Sequence, residues 1–255
     1  MPGVGRKVHR LGLCANMIDA AGFEHALDRG LGYVFWTSLR TGKQRPLFRR
    51  VLAARRDEIV VATGPSVAFL GGGVRRAAES ILRELEIDTI DVFHLFWLGR
   101  TSAWTEGTTE ALVRLKEEGK IRAIGISIHD RARAGRLASE ALRPDLFMLR
   151  YNAAHPGCER DVFPNMELGA KKPAVVAYTA TSWRRLLRAP SGWSGPPMTA
   201  GDCYRWCLSS PYVDVVLCGA KNVAEIDENL ASVDRGPLTP DEDDWMRRFG
   251  VAVHG

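Results

Sequence analysis

One pattern restricts the fold more than any other: a short apolar run followed by a longer amphipathic segment, repeated eight times along the chain. The runs are "RLGLCA", "YVFWT", "EIVVAT", "IDVFHLFW", "IRAIGIS", "LFMLRY", "AVVAY" and "VDVVLCG". Their near-continuous apolar character fits strands buried on both faces. Between them lie segments such as "AAGFEHALDRG", in which Phe23, Ala26 and Leu27 recur at helical spacing, and "PLFRRVLAARR", which opens on a proline suited to a first helical turn. The sixth run is followed by the acidic "CERDVFPNMELG", the seventh by a long loop and "AGDCYRWCLSS", and the eighth by "NVAEIDENLAS". Buried strands alternating with helices imply a parallel sheet covered by helices, and eight repeats favour closure into a (β/α)8 TIM barrel. At 255 residues the chain has the length of one such barrel, so residues 1–255 are expected to form a single domain.

Composition narrows the functional classes. Hydrophobic residues make up 45% and charged residues 25%, and no apolar run is long enough to span a membrane. The basic start is followed by too short an apolar run for a secretion signal, so a cytoplasmic location is expected. The net charge of +5 is spread over many segments without a nucleic-acid-reading motif, so no nucleic-acid partner is expected. Five cysteines without CxxC spacing suggest neither a disulfide framework nor a zinc ribbon. Cys203 and Cys207 share a helix face, but two thiols make an incomplete metal site, and no metal is expected.

In a (β/α)8 barrel, ligands bind where the C-terminal ends of the strands converge. There the sequence offers His129 and Asp130 after the fifth run, Arg150, Tyr151, Asn152 and His155 around the sixth, and Tyr178, Thr179 and Thr181 around the seventh. His129 or His155 suits general acid or base work near neutral pH, and Arg150 suits a carboxylate or an oxyanion. The structural alternatives are that Asp130 caps a helix, His155 shapes the turn before Pro156, and Arg150 makes an ion pair. The stretch "TSWRRLLRAPSGWSGPPMT" reads either as a lid using Arg184, Arg185 and Arg188 or as a solvated loop.

Several blocks together resemble the aldo-keto reductase superfamily: "LRELEIDTIDVFHLFW", "ALVRLKEEGKIRAIGIS", "LRYN", "VVAYTA" and "CYRWCLSSPYVDVVLCGAKNVAEIDENLASV". The resemblance implies a barrel, a nicotinamide cofactor and carbonyl reduction by an acidic tyrosine, a lysine, an aspartate and a histidine. Matching the blocks puts Trp36 at the aspartate position, Thr41 at the tyrosine, Gly64 at the lysine and Phe96 at the histidine. The standard catalytic groups are therefore absent from this alignment. His94 lies two residues before Phe96, on the same strand face but deeper, and is expected to be a buried, hydrogen-bonded interior histidine. Ser127 and Tyr178 match positions that contact the nicotinamide, whereas Ile128 and Met148 stand where amide side chains are usual. Lys221 suits a phosphate, and Glu228 and Asn229 match the adenine-contacting pair. Glu225 would repel a 2′-phosphate, so NADP or NAD is expected to bind weakly, without preference for the phosphorylated form.

Three readings follow. In the first, an enzyme of this ancestry acts on a small organic molecule, with His129, Arg150, His155 and Tyr178 as catalytic candidates and Trp36, Thr41, Phe96 and Trp97 lining the pocket. In the second, a nicotinamide oxidoreductase uses Tyr151, Tyr178 or His129 as a substitute proton donor. In the third, the barrel binds a ligand or partner without catalysis. Oligomeric state is not legible in the sequence.

Overall fold

A computed structural model describes residues 1, 4–37, 42–169 and 172–254. The strands are β1 (Leu11–Cys14), β2 (Tyr33–Phe35), β3 (Val60–Thr63), β4 (Ile90–Leu95), β5 (Ile121–Ser127), β6 (Leu146–Arg150), β7 (Ala174–Tyr178) and β8 (Val215–Cys218). They close in chain order into an all-parallel barrel, with β1 pairing both β2 and β8. The helices are α1 (Ala20–Asp28), α2 (Arg45–Arg55), α3 (Gly71–Leu85), α4 (Glu106–Glu117), α5 (Arg131–Ser139), α6 (Cys158–Asp161), α7 (Ala200–Ser209), α8 (Val223–Val233) and α9 (Pro240–His254). This is the expected (β/α)8 TIM barrel. No helix among the described residues is long and apolar enough to cross a membrane.

The helices form where side chains satisfy their first turns. Asp19, Asp130 and Asn222 accept backbone N–H bonds at the starts of α1, α5 and α8, and Thr105 and Thr199 build reciprocal capping boxes at α4 and α7. Asp130 is thereby occupied as a cap. The acidic segment after β6 makes only the short α6 and a 3-10 turn, Phe163–Asn165, because Pro156, Gly157 and Pro164 interrupt it. α9 lies outside the eight repeats. Thr239 and Glu242 exchange bonds at its start, at 2.8 and 3.3 Å, and it packs its last turn beside the β7 loop.

Strand pleating separates two apolar layers. Tyr33, Val60, Val92, Leu146, Val176 and Val215 are among the residues that fill the barrel. Val34, Val61, Phe93 and Ile126 face the helices. At the N-terminal end, three aspartates repeat one arrangement. Asp91 accepts from the Val61 amide at 2.8 Å, Asp145 from Ile124 at 2.8 Å and Asp214 from Val175 at 2.7 Å. Each also meets cations: Arg56 and Arg122 at Asp91, Lys116 at Asp145, and Lys172 at Asp214.

His94 sits inside the barrel, fully buried as expected, but it is not hydrogen-bonded. Neither ring nitrogen has a partner among the described residues. The imidazole stacks on Phe96 at 5.4 Å and meets the edge of Phe35 at 6.3 Å. It fits because β5 carries Gly125 opposite, where an added Cβ would lie 2.6 Å from Nδ1. Burial lowers the His94 pKa to about 3 and keeps the ring neutral.

The sign of the resulting pH dependence is fixed by this direction. An imidazole depressed from 6.5 to about 3 binds fewer protons folded than unfolded, so its stability contribution is complete above pH 6.5 and lost as pH falls toward 3. His94→Leu should therefore flatten the acid limb of stability in denaturant titrations across this window. At pH 7 the variant should be more stable by about 1 kcal/mol, because unpaired buried polar atoms carry a desolvation cost. An unchanged pH slope, or a large loss at pH 7, would contradict this account.

Candidate functional site at the barrel mouth

The β2–β4 side of the mouth is aromatic among the described residues. Phe35 and Phe96 are half-buried on the inner face, with ring centroids 5.6 Å apart. Trp36 is not part of this wall. Its ring is fully buried in the helical layer, 6.0 Å from Phe48 of α2, so its placement in the substrate pocket is corrected. The reason is the pleat: Tyr33 and Phe35 face the barrel, whereas Val34 and Trp36 face the helices. Alternation makes Thr37 the next inward position after Phe35. Gly64 has no room for a side chain, since an added Cβ would overlap the backbone carbonyl oxygen of His94. Thr41 lies outside the described residues.

Ser127 ends β5 on the inner face, 4% exposed, and its hydroxyl oxygen accepts from the Trp97 amide at 2.9 Å. Trp97 is 39% exposed and left-handed, with φ 46°, a rare conformation for a bulky residue. Ile128 and Met148 are both buried and apolar, Ile128 toward the helices and Met148 within the barrel.

The β5–β7 side is polar. Tyr178 is half-buried at the end of β7, with its hydroxyl 3.5 Å from His129 Nε2 and the rings edge to face at 6.4 Å. Arg150 is paired to Tyr178 in the β6–β7 ladder. It is half-buried, and no carboxylate among the described residues meets its guanidinium. Its guanidinium carbon lies 5.7 Å from the centroid of Trp183 instead. Asn152 donates to the Thr179 carbonyl at 2.8 Å, which turns its amide oxygen toward His155 Nδ1 at 3.1 Å. His155 Nδ1 then carries the proton, and Nε2 is left as an acceptor. Burial first, then Arg150 and Arg100, hold His129 below the ordinary imidazole range. Burial and then Arg150 lower His155 to about 4, so both rings are neutral at pH 7.

Tyr151 does not join this group. It is buried in the helical layer, tilted against Trp206 at 4.7 Å, and its hydroxyl donates to Glu159 at 2.6 Å. Burial and Glu159 raise its pKa, so it is no substitute proton donor at the mouth. Cys207, buried in α7, donates to the Tyr151 carbonyl. A groove of about 570 Å³ on this flank, lined by Tyr151, Phe163, Trp206 and Tyr212 among others, is not lined by His129, Arg150, His155 or Tyr178.

At the end of β8, Lys221 and Glu228 are exposed and Asn229 is buried on α8. The Glu225 carboxylate folds back to accept from the Lys221 amide at 2.9 Å, while Asn222 accepts from Glu225 at 3.0 Å. The N-terminus of α8 is thus capped by the chain's own negative charge, where an anionic ligand would otherwise be favoured.

Sequence reasoning missed Phe35, Trp183 and His254. Trp183 is 59% exposed, with His155 at its edge, 6.3 Å away. His254 from α9 meets His155 at 4.9 Å. Phe35 was discoverable from strand alternation, whereas no local pattern marks the other two.

Two outcomes follow. Gly64→Lys, which would restore the charge the alignment lacks, should instead destabilise the protein by more than about 3 kcal/mol in urea titrations, since overpacking against backbone cannot relax cheaply. Arg150→Gln should raise the NMR titration midpoints of both His129 and His155, because Arg150 is the largest charge acting on each. Unmoved midpoints would place the guanidinium elsewhere.

The family model described as "Aldo/keto reductase family" matches residues 10–182. Human aflatoxin B1 aldehyde reductase member 4 is 22% identical over 222 residues, covering 66% of this chain and 66% of that protein. The match therefore spans about two thirds of the relative's own length. The uncharacterized oxidoreductase YqkF of Bacillus subtilis is 23% identical over 259 residues, covering 86% of this chain and 83% of its own. Among solved structures, an aldo-keto reductase from Klebsiella pneumoniae in complex with NADPH superposes with TM-score 0.79 at 20% identity, covering 98% of this chain and 94% of that one. The apo form of an aldo-keto reductase from Bacillus halodurans gives 0.77 at 22% identity, with 100% and 96% covered. With a barrel of the same kind and a family match through β7, this chain belongs to the aldo/keto reductase family.

Proposed function

We propose that the protein acts on a small organic molecule at the C-terminal mouth of the barrel by proton transfer rather than by tyrosine-assisted carbonyl reduction. One observation carries this reading: Gly64 is sealed against the His94 backbone, so the lysine that would tune a catalytic tyrosine has no place to stand. Phe35 and Phe96 make the same side apolar and supply no proton donor. The titratable groups gather on the other side, around His129 and Tyr178. Neutral His129 serves as the base, and the Tyr178 hydroxyl beside it passes or returns a proton, as in an elimination or an isomerisation.

A nicotinamide cofactor fits only in part. Lys221, Glu228 and Asn229 would hold its adenosine end, Tyr178 would lie against the ring, and Ser127 has its oxygen engaged by Trp97. Glu225 opposes a 2′-phosphate at the start of α8. The relative from Klebsiella pneumoniae carries NADPH, which supports keeping this cofactor class for the present chain, bound weakly. When bound, the cofactor would supply hydride. A second reading, reduction with Tyr178 as a substitute acid, draws support from the 3.5 Å approach of its hydroxyl to His129.

Fluorescence titration with NADH and NADPH, followed by turnover with aldehydes and quinones, tests the choice. Weak binding without marked preference and near-absent reduction are expected, since a missing general acid typically costs about 10² to 10⁴-fold in rate. Efficient NADPH-dependent reduction that is abolished by Tyr178→Phe or His129→Gln would establish the second reading instead.

A further inference from the structure

Resting on the reading that the mouth is the reactive site, we infer that its substrate is an organic carboxylate with a flat, unsaturated body, the carboxylate held by Arg150 and the body lying against Phe35 and Phe96.

The head group follows from electrostatics. Arg150 is half-buried, and a charge withdrawn from water without a counter-charge is costly. The groups acting on the neighbouring His155 are Arg150, His254, Arg185 and Arg131, while Asp161 and Glu159, which act with Arg150 on nearby Cys158, are engaged by Arg131 at 2.8 Å and by Arg247 at 2.9 Å. Arg150 is thus left without a carboxylate of its own among the described residues, and the partner it lacks is an anion. Its planar fork matches a carboxylate through two parallel bonds.

The geometry behind Arg150 is built to hold that fork. The Trp183 ring lies 5.7 Å from the guanidinium carbon, within cation–π range, and limits where the guanidinium can move. To bring Trp183 there, the chain leaves β7 through Thr179, Ser182, Trp183 and Arg184, all left-handed, with φ between 48° and 69°. Such residues each cost about 1–3 kcal/mol and persist only where the surroundings hold them. Here Asn152 bonds the Thr179 carbonyl, the Ser182 amide bonds the same carbonyl at 2.8 Å, and Arg185 donates to the Val253 carbonyl of α9. Ser182 is fully buried with its hydroxyl unpartnered among the described residues, a further cost that this loop tolerates. Trp183 is accordingly a positioning residue for Arg150.

The body follows from the opposite side. Phe35 and Phe96 stand edge to face and are half-buried, and His94 stacks on Phe96. Aromatic faces of this kind favour a flat partner over a branched aliphatic one.

Calorimetry on the full chain with cinnamate, cinnamamide, phenyl phosphate and acetate tests the assignment without cofactor or turnover. Cinnamate should bind about tenfold or more tightly than cinnamamide, and Arg150→Gln should erase that advantage. Arg150→Lys keeps the charge without the fork and should fall between, which also serves if the glutamine variant does not fold. Trp183→Ala should lower the carboxylate advantage, whereas Phe96→Ala should weaken cinnamate and leave acetate unchanged. Equal binding of cinnamate and cinnamamide, or full binding by a folded Arg150→Gln variant, would overturn the assignment. Tighter binding of phenyl phosphate than cinnamate would overturn the carboxylate, and acetate binding as tightly as cinnamate would overturn the flat body. Efficient NADPH-dependent reduction with carboxylate selection intact would instead remove proton transfer while leaving this assignment standing.

Discussion

The geometry of the mouth depends on an interaction at the other end of the barrel. Asp91, Asp145 and Asp214 each accept an amide from the preceding strand, at Val61, Ile124 and Val175, and each is neutralised by a lysine or arginine. The three carboxylates tie β3 to β4, β5 to β6 and β7 to β8 in the same register. In a closed sheet a slip at one pair must be absorbed around the ring, and a one-residue slip exchanges inner and outer faces. Side chains that meet at the mouth therefore do so because strand ends are pinned at the floor. Asp91 is completely buried between Arg56 and Arg122, so removing both partners would leave an uncompensated buried charge rather than merely lose contacts.

With the register held, the mouth divides into two chemical halves. Phe35 and Phe96 form an aromatic side, where a side chain added at Gly64 would overlap the His94 backbone. His129, Tyr178, Arg150 and His155 form the other, where neutral imidazoles stand beside a guanidinium that meets no carboxylate among the described residues. The division has a physical cause. Burial keeps His94 neutral under Phe96, and burial first, with Arg150 of β6 second, keeps His129 and His155 deprotonated. Each half maintains the protonation states of its own members.

The barrel was legible because eight buried strands leave eight apolar runs, and their spacing was enough to predict closure. Phase within a strand was harder to read. In "YVFW" every residue is apolar, so hydropathy does not say whether Phe35 or Trp36 faces inward, and only the pleat decides. α9 was overlooked although "TPDE" announces its start with a capping pair. His94 was placed correctly in depth, but what surrounds its nitrogens depends on Gly125 one strand away. Trp183 reaches Arg150 through four left-handed residues, a backbone path that composition does not encode.

The closeness of position 64 to the His94 carbonyl has a consequence for redesign. A side chain added there would overlap that backbone oxygen, so any larger residue requires the β4 backbone near His94 to withdraw. On the β5–β7 side Arg150 and Tyr178 already stand half-buried, and substitutions there exchange one side chain for another without moving a strand.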